Sequence, residues 1–188
     1  MTRGRVLLIG LAVLALGGVG LLVRYFNAAG ASPEGGIGED HQPESHLIPI
    51  VLQVALAQRE KITIFGDDWE TPDGTCVRDY IHVDDLCRAH SLALERLDGA
   101  INLKLNLGTG NGYSVRQIIE ACREVTGCDI AEVVGERRPG DPPKLIADPS
   151  LANTVLGWTP QYQSPKTIIE TAWTWHQTHP NGYTDATK

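Results

Sequence analysis

Eighteen consecutive residues, Val6–Val23, carry no charge and consist almost entirely of Leu, Val, Ile, Ala and Gly, directly after Arg3 and Arg5. Wound as a helix, the run would extend about 27 Å, enough to cross the hydrocarbon core of a bilayer. The basic flank fits a membrane anchor with its N-terminus inside, or a signal sequence. No clear A-x-A cleavage site follows, which favours the anchor. Gly10, Gly17, Gly18 and Gly20 weigh against any helix here, and Leu21–Phe26 reads equally well as a buried strand. The run is thus a transmembrane helix or part of a sheet, and the sequence leaves both open.

The remainder has the makings of one core of ordinary size: 188 residues in all, 42% hydrophobic and 21% charged. A net charge of −7 excludes a nucleic acid as the main partner, because no basic surplus exists to displace counterions from a phosphate backbone. Any phosphate must be met by a few placed groups. Cys76, Cys87, Cys122 and Cys128 form no C-x-x-C pair and no histidine stands at metal-ligand spacing, so free thiols are expected rather than a disulfide framework or a zinc site.

Residues 27–43 form a loop rich in Gly, Ala, Pro and acidic residues. Helices are expected over 46–58, from Asp84 or Asp85 to Leu97, over 114–127, over 149–156 and over 164–177. The helix over 114–127 opens with Ser114 and Gln117 at capping-box spacing and stops at Gly127. Strands are expected over 62–65, 77–83, 102–107 and 130–134, with a short extended piece at 145–147. This alternation, without an internal repeat, gives an α/β or α+β class.

Three constellations bear on chemistry. Gly108-Thr109-Gly110-Asn111-Gly112 follows a strand and opens a helix, yet Tyr113 stands where G-x-G-x-x-G needs its last glycine, so a tight turn is the better reading. Tyr162 and Lys166 have Y-x-x-x-K spacing, but Pro165 disfavours helical geometry at Ser164 and keeps the pair off a common face. Arg78, near the start of a strand that runs into Asp84-Asp85, and the pair Arg137-Arg138 beside Gly140-Asp141 are cations that suit a pyrophosphate if they converge. The six histidines include no H-E-x-x-H and no nucleophile–base pair, and are read as structural.

Taken in order, Arg24-Tyr25-Phe26-Asn27-Ala28-Ala29-Gly30-Ala31, His46-Leu47-Ile48-Pro49, Ile64-Phe65-Gly66, Thr71–Thr75, Arg78–Val83, Asn106-Leu107-Gly108, Arg137–Asp141 and Leu156-Gly157-Trp158 resemble UDP-glucose (UDP-galactose) 4-epimerases of the extended short-chain dehydrogenase/reductase superfamily. The resemblance runs from Leu22 to Tyr183. It implies an α/β fold, namely the C-terminal substrate-binding part of such an enzyme, with the Rossmann half largely absent. The implied division is 1–23 as a hydrophobic segment foreign to the family, 24–183 as the substrate-binding region and 184–188 as a polar tail.

By the same resemblance Asn27, Ser45, His46 and Leu47 would meet the sugar-nucleotide, and Phe26 would sit beside the nicotinamide of NAD. The family often carries Asn where Ser45 and His46 stand. Thr63, Ile64 and Phe65 would hold the uracil, Arg78 and Arg138 the diphosphate, and Asp141 the ribose, while Leu145 would flank the sugar. The implied ligands are UDP-glucose and UDP-galactose, and the implied location is the cytoplasm, with membrane anchoring through residues 6–23 as the alternative. The family's mechanism also requires a glycine fingerprint and a catalytic Tyr-x-x-x-Lys, and neither occurs here at a matching place. The chain is therefore expected to hold substrate without turning it over, and no homodimer is expected without the N-terminal half. The competing readings are a membrane-tethered UDP-sugar-binding protein and a dehydratase or decarboxylase acting on another sugar nucleotide; Thr71–Thr75 running into Arg78 favours the 4-epimerases.

Overall fold

The computed structural model describes residues 10–16, 19–97 and 102–183. Within them the leading apolar run is a hairpin. Strands β1 (Gly10–Leu16) and β2 (Val19–Tyr25) pair antiparallel, from Gly10 opposite Tyr25 to Leu16 opposite Val19. The far edge of β2 pairs in parallel with β7 (Asn102–Leu107), giving the order β1-β2-β7. This corrects the expected membrane helix over residues 6–23, of which 6–9, 17 and 18 lie outside the described residues. The physical reason is the strand edge that β7 offers: glycine-rich backbone that makes a poor helix completes its hydrogen bonds in a sheet instead. Among the described residues no helix is long and apolar enough to cross a membrane. Strand β2 runs through positions 23 and 24, where the sequence suggests a junction.

Helices α2 (Val83–Glu95) and α4 (Ser150–Leu156) are the helical part of this sheet's core, where Val23, Ile81, Ala89, Ala93, Leu105, Leu107, Ala152, Leu156 and Trp158 are buried together. The Trp158 indole N–H donates to the Asp85 carbonyl at 3.0 Å, so burying the ring leaves no orphan donor. Leu94, near the end of α2, is 55% exposed.

A second core joins α1 (Leu47–Ala55), α3 (Val115–Thr126) and α5 (Pro165–Thr178) to the parallel pair β4 (Ile62–Phe65) and β9 (Glu132–Gly135). The expected capping box is present, with Ser114 accepting from Gln117 N and the Gln117 side chain accepting from Ser114 N, and Gly127 closes α3 at φ 67°. In α5 it is Trp175 that is buried, with Trp173 half-buried.

The strand expected over 77–83 is two strands in two sheets. Strand β5 (Val77–Arg78) lies between β10 (Lys144–Leu145) and β8 (Tyr113–Ser114), while β6 (Tyr80–His82) pairs in parallel with β3 (Asn27–Ala29). Strand β3 falls inside the expected loop 27–43. The cap of α2 is His82, whose Nδ1 accepts from Asp84 N, rather than Asp84 or Asp85. Asp85 reaches outward to accept from Gln161 N and Tyr162 N.

Candidate functional site

Asp79 stands at the crossover between β5 and β6, and it organises the region. Its buried carboxylate accepts from Thr109 N (3.0 Å) and Thr109 Oγ1 (2.8 Å) on one oxygen, and from Gly110 N (3.0 Å) and Ala147 N (3.2 Å) on the other. The glycine turn that resembles a phosphate cradle is therefore filled by an internal anion. A Cβ on Gly108 would lie 2.6 Å from Asp79 Oδ2 and 2.5 Å from the Ala147 methyl, which explains the glycine. Burial pushes the Asp79 carboxyl above the ordinary carboxylate range, and the Thr109, Ala147 and Gly110 donors oppose the rise.

The backbone of Asp79 fixes its neighbours. Its carbonyl accepts from the Asn27 side-chain amide at 2.9 Å, and its N–H donates to the Leu145 carbonyl at 3.1 Å. Arg78 and Leu145 are register partners across β5 and β10. Arg78 is 6% exposed; its guanidinium donates to the Val77 carbonyl at 2.9 Å and faces Asp141 at 3.7 Å. Asp141 N donates to the Arg138 carbonyl at 3.3 Å, and the Arg138 guanidinium stacks 3.7 Å above the Phe65 ring. Phe65, 37% exposed, ends β4. Ile62 N donates to the Ala131 carbonyl just ahead of β9 and Gly66 N to the Gly135 carbonyl, so the alternation of a strand turns the backbone groups of Thr63 and Phe65 to the outer edge of β4. Among the described residues that edge has no partner strand. Ile64 points its side chain into the core.

On the other side of Asp79, Asn27 pairs with Tyr80 across β3 and β6 and lines a small hollow together with His46, Leu47 and Pro49. Phe26, half-buried, precedes Asn27. Ser45 N and His46 N both donate to Glu44 Oε1, at 2.6 and 2.7 Å. The His46 ring lies 2.5 Å from Glu39 and 3.1 Å from Glu44; hydrogen bonds to Glu39 first and Glu44 second push its pKa up to about 10.

The structure thus links Asn27, Arg78, Leu145, Asp141, Arg138 and Phe65 through contiguous contacts centred on Asp79, and gathers His46 and Leu47 around Asn27. It does not make Arg137 and Arg138 a joint clamp. Arg137 turns to Asp68 at 2.6 Å and stacks on Trp69, while Arg138 goes to Phe65. Tyr162 and Lys166 are separated as expected: Tyr162 stacks on His82 at 3.8 Å, and Lys166 pairs with Glu124. Asp79 itself is absent from the sequence-based set of candidates. Its signal was its place between two strand-like dipeptides ahead of a glycine turn.

The sequence profile of the NAD dependent epimerase/dehydratase family matches residues 15–108. Over 168 residues the chain is 59% identical to a UDP-glucose 4-epimerase of Halalkalibacterium halodurans, covering 88% of this chain and 50% of that protein. A UDP-glucose 4-epimerase of Streptococcus mutans is 56% identical, with 87% and 49% covered. Among solved structures, a UDP-glucose 4-epimerase at 59% identity superposes with a TM-score of 0.83, covering 87% of this chain and 50% of that one. The Bifidobacterium longum enzyme, in complex with NAD+ and UDP, also gives 0.83, at 39% identity and with 87% and 49% covered. The chain spans about half the length of the curated relatives it matches.

Proposed function

Since the chain belongs to the NAD dependent epimerase/dehydratase family, we propose that it is the UDP-sugar-holding part of a UDP-glucose 4-epimerase, binding UDP-glucose and UDP-galactose. The observation that carries this reading is the buried Arg78, set by Asp79 between the Asn27–Leu47 hollow and the Asp141–Arg138–Phe65 run. In a low-dielectric wall a guanidinium binds a diphosphate far more strongly than it would on an open surface.

In this assignment Arg78 and Arg138 hold the diphosphate and Asp141 holds the ribose. The outer backbone edge of β4 at Thr63 and Phe65, where the Phe65 carbonyl also accepts from the Trp69 indole, meets the uracil, with Ile64 fixing the strand. Asn27, Ser45, His46 and Leu47 line the sugar side, and Leu145, paired with Arg78, limits the bulk of the sugar. Phe26 borders the nicotinamide side.

NAD supplies hydride exchange in this family. The glycine turn at 108–112 offers no seat for its pyrophosphate, because the N–H groups of Thr109 and Gly110 are committed to Asp79. This chain's part is to bind and orient the sugar nucleotide. It is expected to show no interconversion of UDP-glucose and UDP-galactose in a coupled assay with NAD, since no Tyr-x-x-x-Lys stands at a catalytic place in it.

Calorimetry with UDP and with uridine tests the binding role. Arg78→Met, and separately the surface variant Arg138→Ala, should each weaken UDP binding at least tenfold, the equivalent of about 1.4 kcal/mol. Uridine, which lacks phosphate, should be affected far less. A folded chain that releases no heat with UDP, or variants that bind UDP as tightly as the parent, would overturn the assignment.

A further inference from the structure

Three candidates lie beyond the diphosphate and uracil positions of the proposed groove: the buried His82–Thr171–Ala31 network, the exposed apolar residues of β9, and the histidine–carboxylate cluster at the mouth of α1, whose His46 also borders the sugar side. The last carries an inference. We propose that His41, Glu44 and His46 form a binding site for one divalent transition-metal ion of the zinc, nickel or cobalt class.

The donor geometry is nearly assembled. Ligand atoms of His41, Glu44 and His46 all lie within 4.8 Å of one another. Individually, His41 Nδ1 stands 3.7 Å from Glu44 Oε1, His46 Nδ1 stands 3.1 Å from the same oxygen, and Glu39 Oε1 lies 2.5 Å from His46 Nδ1. In a tetrahedral site with metal–ligand bonds near 2.0–2.2 Å, the ligand atoms sit about 3.3–3.6 Å apart. Shifts of well under an ångström in the His41–Glu44 and His46–Glu44 pairs, with closer approach of the two imidazoles, would therefore centre an ion, which replaces the proton that Glu39 and Glu44 hold on the His46 ring. Two imidazoles with one carboxylate suit borderline transition metals and not magnesium or calcium, which take oxygen ligands throughout.

The surroundings are built to hold these side chains in place. Glu44, 6% exposed, is fixed by the Ser45 and His46 backbone N–H groups. The Glu39 carbonyl accepts from the Trp175 indole at 3.1 Å, which anchors the loop on α5. Supporting bonds of this kind are what orient the ligands of a metal site. His41 is 48% exposed, so an ion reaches the cluster from solvent. The polar hollow alongside is lined by Glu39, Asp40, Glu44 and His176, and its three carboxylates attract a cation.

The test uses untagged, chelator-treated full chain. Zinc titration by calorimetry should give one site per chain, and cobalt(II) should show the intense visible d–d absorption of tetrahedral coordination. His41→Ala, on an exposed ring outside the substrate groove, should weaken zinc binding at least tenfold, abolish the cobalt band, and leave thermal stability unchanged. Glu44→Gln should weaken zinc binding in the same direction. No zinc binding, or equal binding by the parent and His41→Ala, would overturn the proposal. The outcome stays distinguishable from that of the sugar-nucleotide reading, because His41→Ala should leave UDP binding intact and Arg78→Met should leave zinc binding intact.

Discussion

Removing the Asp79 carboxylate is the most informative single change, because four donors from two separate segments converge on it. In Asp79→Ala, the Ala147 N–H is left in a buried position and incurs the full penalty of an orphan donor, about 1–3 kcal/mol. The Thr109 and Gly110 donors sit where water reaches them, so each loses only the margin of a charge-assisted bond over hydration. Together the loss is expected at about 3–5 kcal/mol.

Asp79→Asn should cost less, about 2–3 kcal/mol. Its amide can turn its nitrogen toward Thr109, whose hydroxyl rotates to accept, while its oxygen keeps Gly110 N and Ala147 N. Only the Thr109 N–H is then opposed by a donor. Urea unfolding followed by circular dichroism, with the m-value monitored, measures both variants. A loss below about 1 kcal/mol in Asp79→Ala, at unchanged m, would refute the view that this carboxylate is what holds the glycine turn and β10 against β5.

Three further outcomes are expected. Burial lowers the His82 pKa below the ordinary 6.5. The unfolded chain then binds the extra proton first, so the stability this ring contributes is complete above pH 6.5 and is lost as pH falls below it. Thermal midpoints between pH 7.5 and 5 should decline less steeply in His82→Gln than in the parent, and the difference cancels the other histidines. Gly38→Ala should destabilise by about 2–3 kcal/mol in chemical denaturation, because the new Cβ would fall 2.1 Å from the buried Trp175 ring. Trp158→Phe, which strips the Asp85 carbonyl of its indole donor, should cost about 1–3 kcal/mol by the same measurement.

Local signals in the chain determined a good deal. Ser114, Gln117 and Gly127 set the ends of α3, and Ser164 with Pro165 opens α5. These devices act within one turn of helix, so neighbours in sequence suffice to read them. The ordered dipeptides from Tyr25 to Trp158 likewise carry the family in linear form. What tertiary structure decided depends on partners far along the chain. β1 and β2 are strands because β7 lies some eighty residues on, and periodicity alone cannot separate a buried strand from a buried helix. The residues 77–83 break into two sheets because Asp79 is held by Thr109, Gly110 and Ala147, none of them close in sequence. His41, Glu44 and His46 converge through an irregular loop pinned on Trp175, a geometry without a period to read. The sequence by itself determined which residues end the helices and which family the chain resembles; only the fold decided which charges meet, because a charge is placed by whichever distant backbone completes its hydrogen bonds.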